Sequence, residues 1–552
     1  MPLVLVAAAT DAGGSLPGSA VPSTTSPPPA TAPAAAPAGS RDATNLYDDL
    51  LAVASGAGDP NAPAWLFVPH LTWAEIATDN ARHSETNKQS DLISVLGAGL
   101  TASANAPQLT GIFTYQALVR RALNVTRRSI ISQYGFATAH ATLVPDFLYL
   151  DVHGKADEIV RGQVQTTNPL LLDSSNTSQI YLLTVSPDAK SRVGDIGILD
   201  VRYAFNEFWR DRNTGAIVIP GAVINPLGGT TQNEAHGDFR MQGTLAAPLM
   251  SDLTGYASDT STTRFGTLKK AFSEFINEYQ FTRGISGIAG GGYEWLADER
   301  FATLTGQGPT FDAGFRLKPN VDSSILLLYG RHDLKTGVSG EIQWVLTPNT
   351  TFYGAYTNSI SSTQQGLISS NASSRVGPGG PSSGVDFSQN PAIGTLNDPS
   401  YAPDYGGDIN ANSGLPLSDM NFFGAGQNGF FRTKVARATL YSDLDIYTVS
   451  IRAYHIELTS LTGSLPAYRQ LNGAIASVST LVSGDVSTTL ETGYVSPGLD
   501  RAKLLTAAAI ANYRINQTLR ATLRYDFNRR LAGTAGNGFT ANSVTIRLMK
   551  TF

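Results

Sequence analysis

The residues of this 552-residue chain best suited to acid–base or metal chemistry are seven histidines, at positions 70, 83, 140, 153, 236, 332 and 455. No two of them share the short paired spacing of a zinc site. His83 stands directly before Ser84, which raises a lipid hydrolase built on a Ser–His pair. Neighbours on an extended chain point to opposite faces, however, and no third residue that would orient the imidazole can be picked out. A solvated polar loop is the simpler reading. Asp386, Asp398, Asp404, Asp408 and Asp419 cluster in one region but lack the spacing of a calcium loop. The run GIAGGGYEW, residues 287–295, has no phosphate-loop pattern and lies in a strand, where glycines mark close strand packing or a bulge. We therefore expect a protein that is not an enzyme, with no catalytic residue, no cofactor and no metal centre.

The elements that would carry these residues show one pattern. In steps of two, the C-terminal segment SVTIRLMKTF separates Val544, Ile546, Leu548 and Phe552 from Ser543, Thr545, Arg547 and Thr551. That is a strand with one apolar and one polar face. Leu519, Ala521, Leu523, Tyr525 and Phe527 alternate in the same way with Arg520, Thr522, Arg524, Asp526 and Asn528. So do Leu199–Phe205 around Asp200 and Arg202, Ala313–Leu317 around Asp312, Arg316 and Lys318, and Tyr447–Ala453 around Arg452.

Composition sets the class. The chain has no cysteine, only 15% charged residues, 54 glycines, 21 tyrosines and 23 phenylalanines, with a net charge of −5. Absence of cysteine suits a protein that crosses an oxidising compartment unfolded. The weak negative charge, without a basic stripe, speaks against a nucleic-acid partner. No apolar stretch nears the roughly 18–20 residues of a membrane helix. If the chain spans a bilayer it must do so as a closed barrel, because only helices and barrels satisfy every backbone group there.

The chain opens MPLVLVAAATDAGG, which has the small residues of a signal-peptide tail without its basic start. Residues 15–40 are almost wholly Pro, Ala, Ser and Thr and read as a disordered linker. Thr44–Ala54 could form a short amphipathic helix. We take 1–63 as a leader and linker and 64–552 as the barrel. Tight turns are expected near 104–107, 143–146, 250–253, 282–285, 318–321, 347–350, 442–445, 482–485 and 515–518. Longer loops are expected around 79–89, 154–177, 206–234 and 456–467. Short turns on one side and long loops on the other are the mark of an outer-membrane barrel. The fold class is therefore all-β, a transmembrane antiparallel barrel of about 16–22 strands. Residues 362–429, with twelve glycines, five aspartates and Arg375 as the single basic residue, form one large loop, either extracellular or folded into the lumen.

A terminal strand with an alternating apolar face closed by Phe552 resembles the signal by which the bacterial barrel-assembly machinery recognises its clients. WLFVPHLTWAEIATDNARHSETNKQSDLISVLGAGL, residues 65–100, with Thr78-Asp79-Asn80 at the end of a strand and a following strand that opens Ser-Asp, resembles the start of the PEP-CTERM system-associated outer-membrane proteins. GIFTYQALVRRALN (111–124), DFLYLDVHGKA (146–156) and the carboxyl end continue the likeness, which spans most of the chain after residue 64; the 362–429 segment and the Pro/Ala leader fall outside it. The resemblance implies an outer-membrane barrel tied to exopolysaccharide and exosortase systems, with no established chemistry. A strand number near 22 also raises a transporter with a plugged lumen, but only about 63 residues precede the first strand, most of low complexity, which disfavours it.

The expected function is thus a porin-like conduit or an envelope component of exopolysaccharide export in the bacterial outer membrane. Its partners would be outer-membrane lipids, the barrel-assembly machinery, and exopolysaccharide or its export components. The alternative is a structural or adhesive barrel whose large loop contacts surface polymer. Lumen-lining candidates are Asp200, Arg202, Asp312, Arg316, Lys318, Arg452, Arg520, Arg524, Asp526 and Arg547, which could instead pair with one another and hold the barrel together. Phe552 is the candidate assembly signal.

Overall fold

A computed structural model describes residues 64–552 apart from 125–128, 161–176, 195–196, 211–216, 220–221, 225–229, 242–248, 263–265, 300–304, 321, 363–429, 462–467, 498–502 and 533–537. The leader, the Thr44–Ala54 segment and nearly all of the 362–429 loop thus lie outside the described residues.

The strands are β1 (Trp65–Thr78), β2 (Asp91–Ala106), β3 (Leu109–Ala122), β4 (Ser129–Val144), β5 (Leu148–Val160), β6 (Thr177–Val193), β7 (Gly197–Arg210), β8 (Ile217–Ile219), β9 (Ala222–Ile224), β10 (Thr230–Met241), β11 (Leu249–Thr262) and β12 (Gly266–Thr282). They continue as β13 (Ile285–Asp298), β14 (Gly306–Leu317), β15 (Ser324–His332), β16 (Lys335–Thr347), β17 (Thr350–Ser362), β18 (Phe430–Leu444), β19 (Tyr447–Ser460), β20 (Tyr468–Ser483), β21 (Val486–Pro497), β22 (Leu504–Asn516), β23 (Leu519–Arg530) and β24 (Phe539–Thr551). Apart from the small β8–β9 hairpin they form one 22-stranded sheet. Each strand is antiparallel to its chain neighbour, with β7 pairing β10 past the hairpin. His70–Thr78 of β1 pair with Thr551–Ser543 of β24, so the sheet closes on itself and neither end strand is left as an open edge.

Side-chain exposure confirms the alternation. On β24, Phe539, Ala541, Ser543, Thr545, Arg547, Met549 and Thr551 are buried, whereas Val544 and Ile546 between them are exposed. Large exposed apolar residues such as Phe67, Leu96, Tyr203, Phe275, Trp295, Trp344, Ile451 and Leu523 all fall on the same, outward phase. An outward apolar surface on a closed barrel is stable only against lipid.

Tight turns join β2–β3, β4–β5, β12–β13, β16–β17, β18–β19, β20–β21 and β22–β23 close to the expected positions. Asp146 and Asp445 in two of them take left-handed backbone, φ 59° and 55°, which Asp tolerates. The register slips by one residue just before five of these turns, at Thr142/Val144, Gln280/Thr282, Val345/Thr347, Leu481/Ser483 and Arg514/Asn516, as bulges do at barrel rims. One expected turn is wrong. Residues 250–253 lie inside β11, whose ladder with β12 runs unbroken through Ser251-Asp252, so pairing overrides their turn composition. A turn that the reading did not anticipate follows β6, where Gly194 adopts φ 54°.

The strands also run further than expected on the long-loop side, β5 to Val160, β7 to Arg210 and β19 to Ser460. There the two faces exchange character. Phe431, Ile456, Leu458, Leu471, Val495, Leu504, Phe539 and Ala541 form an inward apolar cluster on β18–β24, and Ala74, Ile76, Val95, Leu118 and Tyr134 form another on β1–β4. Outward neighbours at the same level are polar, as in the Ser94 Oγ to Glu75 Oε2 bond of 2.9 Å and the Lys434–Glu457 pair at 2.9 Å. These strand ends have the polarity of a rim that stands above the bilayer.

Candidate functional site

The inner wall is where the barrel concentrates its chemistry. Asp200 and Arg202 on β7, Asp312 and Arg316 on β14, Arg452 on β19, Arg520, Arg524 and Asp526 on β23 and Arg547 on β24 all carry the inward phase, as the alternation predicts. Lys318 does not. β14 ends at Leu317, and Lys318 is exposed in the following turn, its N–H donating to Gly284 O at 2.8 Å. Phe552 continues the outward phase of β24, exposed, with its N–H bonded to Pro69 O at 3.0 Å and Lys550 Nζ 5.9 Å from its ring.

Much of the inward charge is paired. Arg524 grips Asp526 through Nε at 2.8 and 3.0 Å and Nη2 at 2.6 Å, the two-pronged geometry in which an arginine–carboxylate pair is strongest. Arg316 Nε lies 3.2 Å from Glu278 on β12, and Lys190 3.5 Å from Asp200. Arg202 donates to Ser186 Oγ, and Arg547 Nη2 reaches Thr522 Oγ1 at 3.4 Å.

The short β15–β16 hairpin carries the densest network. Its tip, Asp333-Leu334, has both residues in left-handed backbone. Asp333 Oδ1 is 2.7 Å from Lys270 Nζ, its Oδ2 accepts the Ile360 N–H at 2.7 Å, and its carbonyl accepts Arg432 Nη2 at 2.8 Å. The Asp333 and Leu334 N–H groups donate to Glu294 at 2.6 and 2.8 Å. Leu334 packs with Leu268, Leu296, Ile360 and Leu461. The upper part of β17 has no partner in β16, whose pairing stops at Gly340, so the Asp333 carboxylate satisfies a donor on that strand's free edge. Ile360 and Arg432 carry the outward phase, whereas Leu268, Leu296 and Lys270 carry the inward one. At this rim the inner face of β12–β13 therefore lies over the outer face of β17–β18, with the hairpin tip between them.

Below the tip, three residues from separate strands converge. His332 Nε2 and Asp312 Oδ2 are 2.8 Å apart, and one ligand atom each from Glu274, Asp312 and His332 lie within 4.8 Å of one another. Both oxygens of Glu274 and Oδ1 of Asp312 are buried without a hydrogen-bond partner. The sequence could not pair these residues, because only the registers β12–β13–β14–β15 bring them together. The glycine run marked in the sequence does so. Gly290 and Gly292 face inward on β13, with Gly292 opposite Glu274 and Gly290 opposite Asp312.

The other histidines serve separate places. His140 Nδ1 is 2.7 Å from Asp151 Oδ1, His153 Nδ1 is 3.1 Å from Thr138 Oγ1, and His455 Nδ1 is 2.6 Å from Asn472 Oδ1. His70 is buried with neither ring nitrogen partnered. The His83 ring meets Phe539 edge-on at 4.9 Å, while the Ser84 hydroxyl accepts the Asn87 N–H at 3.2 Å. The Thr78-Asp79-Asn80 motif staples the barrel closure. Asp79 accepts the backbone and side-chain amides of Asn542 at 2.8 and 2.7 Å, Thr78 Oγ1 donates to Asn542 O at 3.0 Å, and Asn80 Nδ2 donates to Thr540 O at 2.9 Å. The side chain of His236 and the five aspartates of 362–429 lie outside the described residues.

The closed sheet, its lipid-facing band and its sorted connections decide the class. The chain is an outer-membrane β-barrel. Solved structures of similar fold include the FrpB iron transporter of Neisseria meningitidis (F5-1 variant, apoprotein form), 10% identical with a TM-score of 0.49 over 88% of this chain and 81% of that one. A mutant form of the ferric enterobactin receptor PfeA of Pseudomonas aeruginosa is 12% identical at a TM-score of 0.43, covering 88% and 80%. The ferric-catecholate import receptor Fiu of E. coli K12 is 9% identical at 0.43, covering 88% and 81%. No family model matches the chain, and no curated protein matches it by sequence.

Proposed function

We propose that this barrel is a conduit for polar solutes across the outer membrane, acting beside a surface-polysaccharide system. The observation that carries the conduit is the set of buried, inward-facing polar groups on the wall, among them His70, Glu274, Asp312 and Glu341, with atoms that no protein group meets in good hydrogen-bond geometry. Buried polar groups on a protein wall are normally satisfied, by protein or by water, so these groups call for ordered water or a polar solute held within the wall. The link to exopolysaccharide export rests on the resemblance of residues 65–156 to the PEP-CTERM-associated proteins.

The test is single-channel recording and liposome swelling with sugars of graded size, on the full chain and on a variant lacking most of 363–429. A conduit gives steady conductance and size-limited swelling, and more of both once the loop is removed. Sealed bilayers and unswollen liposomes with both proteins would overturn the conduit. The adhesive alternative predicts the same silence together with loop-dependent retention on surface polymer.

A further inference from the structure

We propose that Glu274, Asp312 and His332 form a binding site for a divalent first-row transition-metal ion on the inner wall of the barrel.

The first argument is the donor set. One imidazole nitrogen and two carboxylate oxygens, with ligand atoms all within 4.8 Å of one another, can close around an ion held at about 2.0–2.2 Å. One imidazole with two carboxylates suits zinc, manganese, iron or cobalt. Calcium takes six to eight oxygens, and soft ions favour sulfur, of which the chain offers no cysteine.

The second argument is burial without compensation. Glu274 is 1% exposed and Asp312 2% exposed, yet both Glu274 oxygens and Asp312 Oδ1 lack partners. Among the described residues, the donor that reaches the group is His332, through Asp312 Oδ2. Nearby cationic side chains are directed at other carboxylates, Lys270 at Asp333 and Arg316 at Glu278, and Glu294 adds a further acid that accepts the N–H groups of the hairpin tip. Acceptors outnumber donors in a place shielded from water, and a buried carboxylate in that position is stabilised by a shared proton, by pairing or by a metal.

The third argument is the floor. Glu274 and Asp312 stand on strands separated by β13, and an ordinary side chain there would come between them. Gly290 and Gly292 supply none. A Cβ at Gly292 would strike the Ser273 carbonyl and the Glu274 backbone, and one at Gly330, opposite Asp312 on β15, would strike the Asp312 carboxylate. Three inward glycines on two strands weaken both strands. They leave a hollow without side chains beside the three ligand residues.

The test uses the untagged full chain, refolded in detergent and stripped with chelator, then titrated with Co²⁺ followed by its visible d–d absorption and with Zn²⁺ by calorimetry. One ion per barrel is expected, with a rise in unfolding temperature. Loss of an outer partner of a metal ligand already costs about 10–100-fold in affinity, so Glu274→Gln, Asp312→Asn and His332→Gln should each weaken binding at least tenfold. Each variant is first checked for folding by its heat-dependent gel mobility. Should Asp312→Asn fail to fold, the other two carry the test. Absence of saturable binding in the parent chain, or binding that the folded variants leave unchanged, overturns the proposal and leaves two acids and a histidine that share protons.

Discussion

Replacing Asp333 should loosen the barrel at its most heavily tied point. Asp333 and Lys270 are 2% and 9% exposed at the side chain and 2.7 Å apart, so solvent screening takes little from their interaction. Removing one member of a buried pair costs about 3–5 kcal/mol, mostly from the charge left behind. In Asp333→Asn the amide oxygen can still accept the Ile360 N–H, and asparagine tolerates φ 51°, so the loss should stay near that range. Asp333→Ala also orphans the Ile360 N–H, about 1–3 kcal/mol, and gives up the short polar side chain by which Asp and Asn tolerate left-handed backbone. The order of stability is therefore parent, then Asn, then Ala. Urea unfolding in detergent, followed by tryptophan fluorescence, measures the loss, and hydrogen exchange over 324–347 shows whether the hairpin opens before the barrel. Lys270→Met combined with Asp333→Asn should recover part of the loss, because no charge is then stranded. If Asp333→Ala unfolds at the same urea concentration as the parent and its hairpin exchanges no faster, the network has no energetic weight and the reasoning fails.

Deleting Phe552 should reduce the folded barrel reaching the membrane while leaving the purified product's melting temperature nearly unchanged, because the exposed ring packs little; equal amounts in the outer membrane at normal expression would make that residue incidental. Arg520→Gln should move the reversal potential in a salt gradient toward cations, whereas Arg524→Gln, whose charge is held by Asp526 at 2.6 Å, should lower the melting temperature with little change in ion preference. An equal selectivity shift in both would mean that the Arg524 pair opens to the lumen. Changing Asp79 and Asn80 together to Ala should lower the temperature at which the folded band converts on gels, since the staple to Asn542 and Thr540 is lost. An unchanged conversion temperature would assign closure to the β1–β24 ladder alone.

The fold was legible because lipid and lumen impose opposite demands on successive residues, and the alternation around Arg202, Arg316 and Asp526 states them directly. Strand ends were less legible. Lys318 keeps the phase of Arg316, but the ladder stops one residue earlier, and nothing in local composition marks that point. Ser251-Asp252 reads as a turn because propensity is local while pairing with β12 is not. The Glu274–Asp312–His332 group depends on register across three ladders, which alternation leaves undetermined. The glycines at 290 and 292 were visible and were read as close packing or a bulge, and the strands do approach closely there. What they make room for needed the neighbouring strands.

The closure of the sheet has a consequence in time. Every other ladder of the barrel joins strands that follow one another in the chain, with only the β8–β9 hairpin between β7 and β10, and can form as a growing meander, whereas the β1–β24 ladder pairs His70 with Thr551 and its staple joins Thr78 to Asn542, 464 positions along the chain. Pairings that distant are slow, because the loop entropy is lost before the contacts form. Until then β1 and the newest strand are both open edges, ready to pair with any other extended chain. Trp65 and Phe552 reach the same end of the barrel only at the last step, so a spectroscopic pair placed across Asp79 and Asn542 would report the moment of completion and show how long each molecule waits, nearly finished, with its edges uncovered.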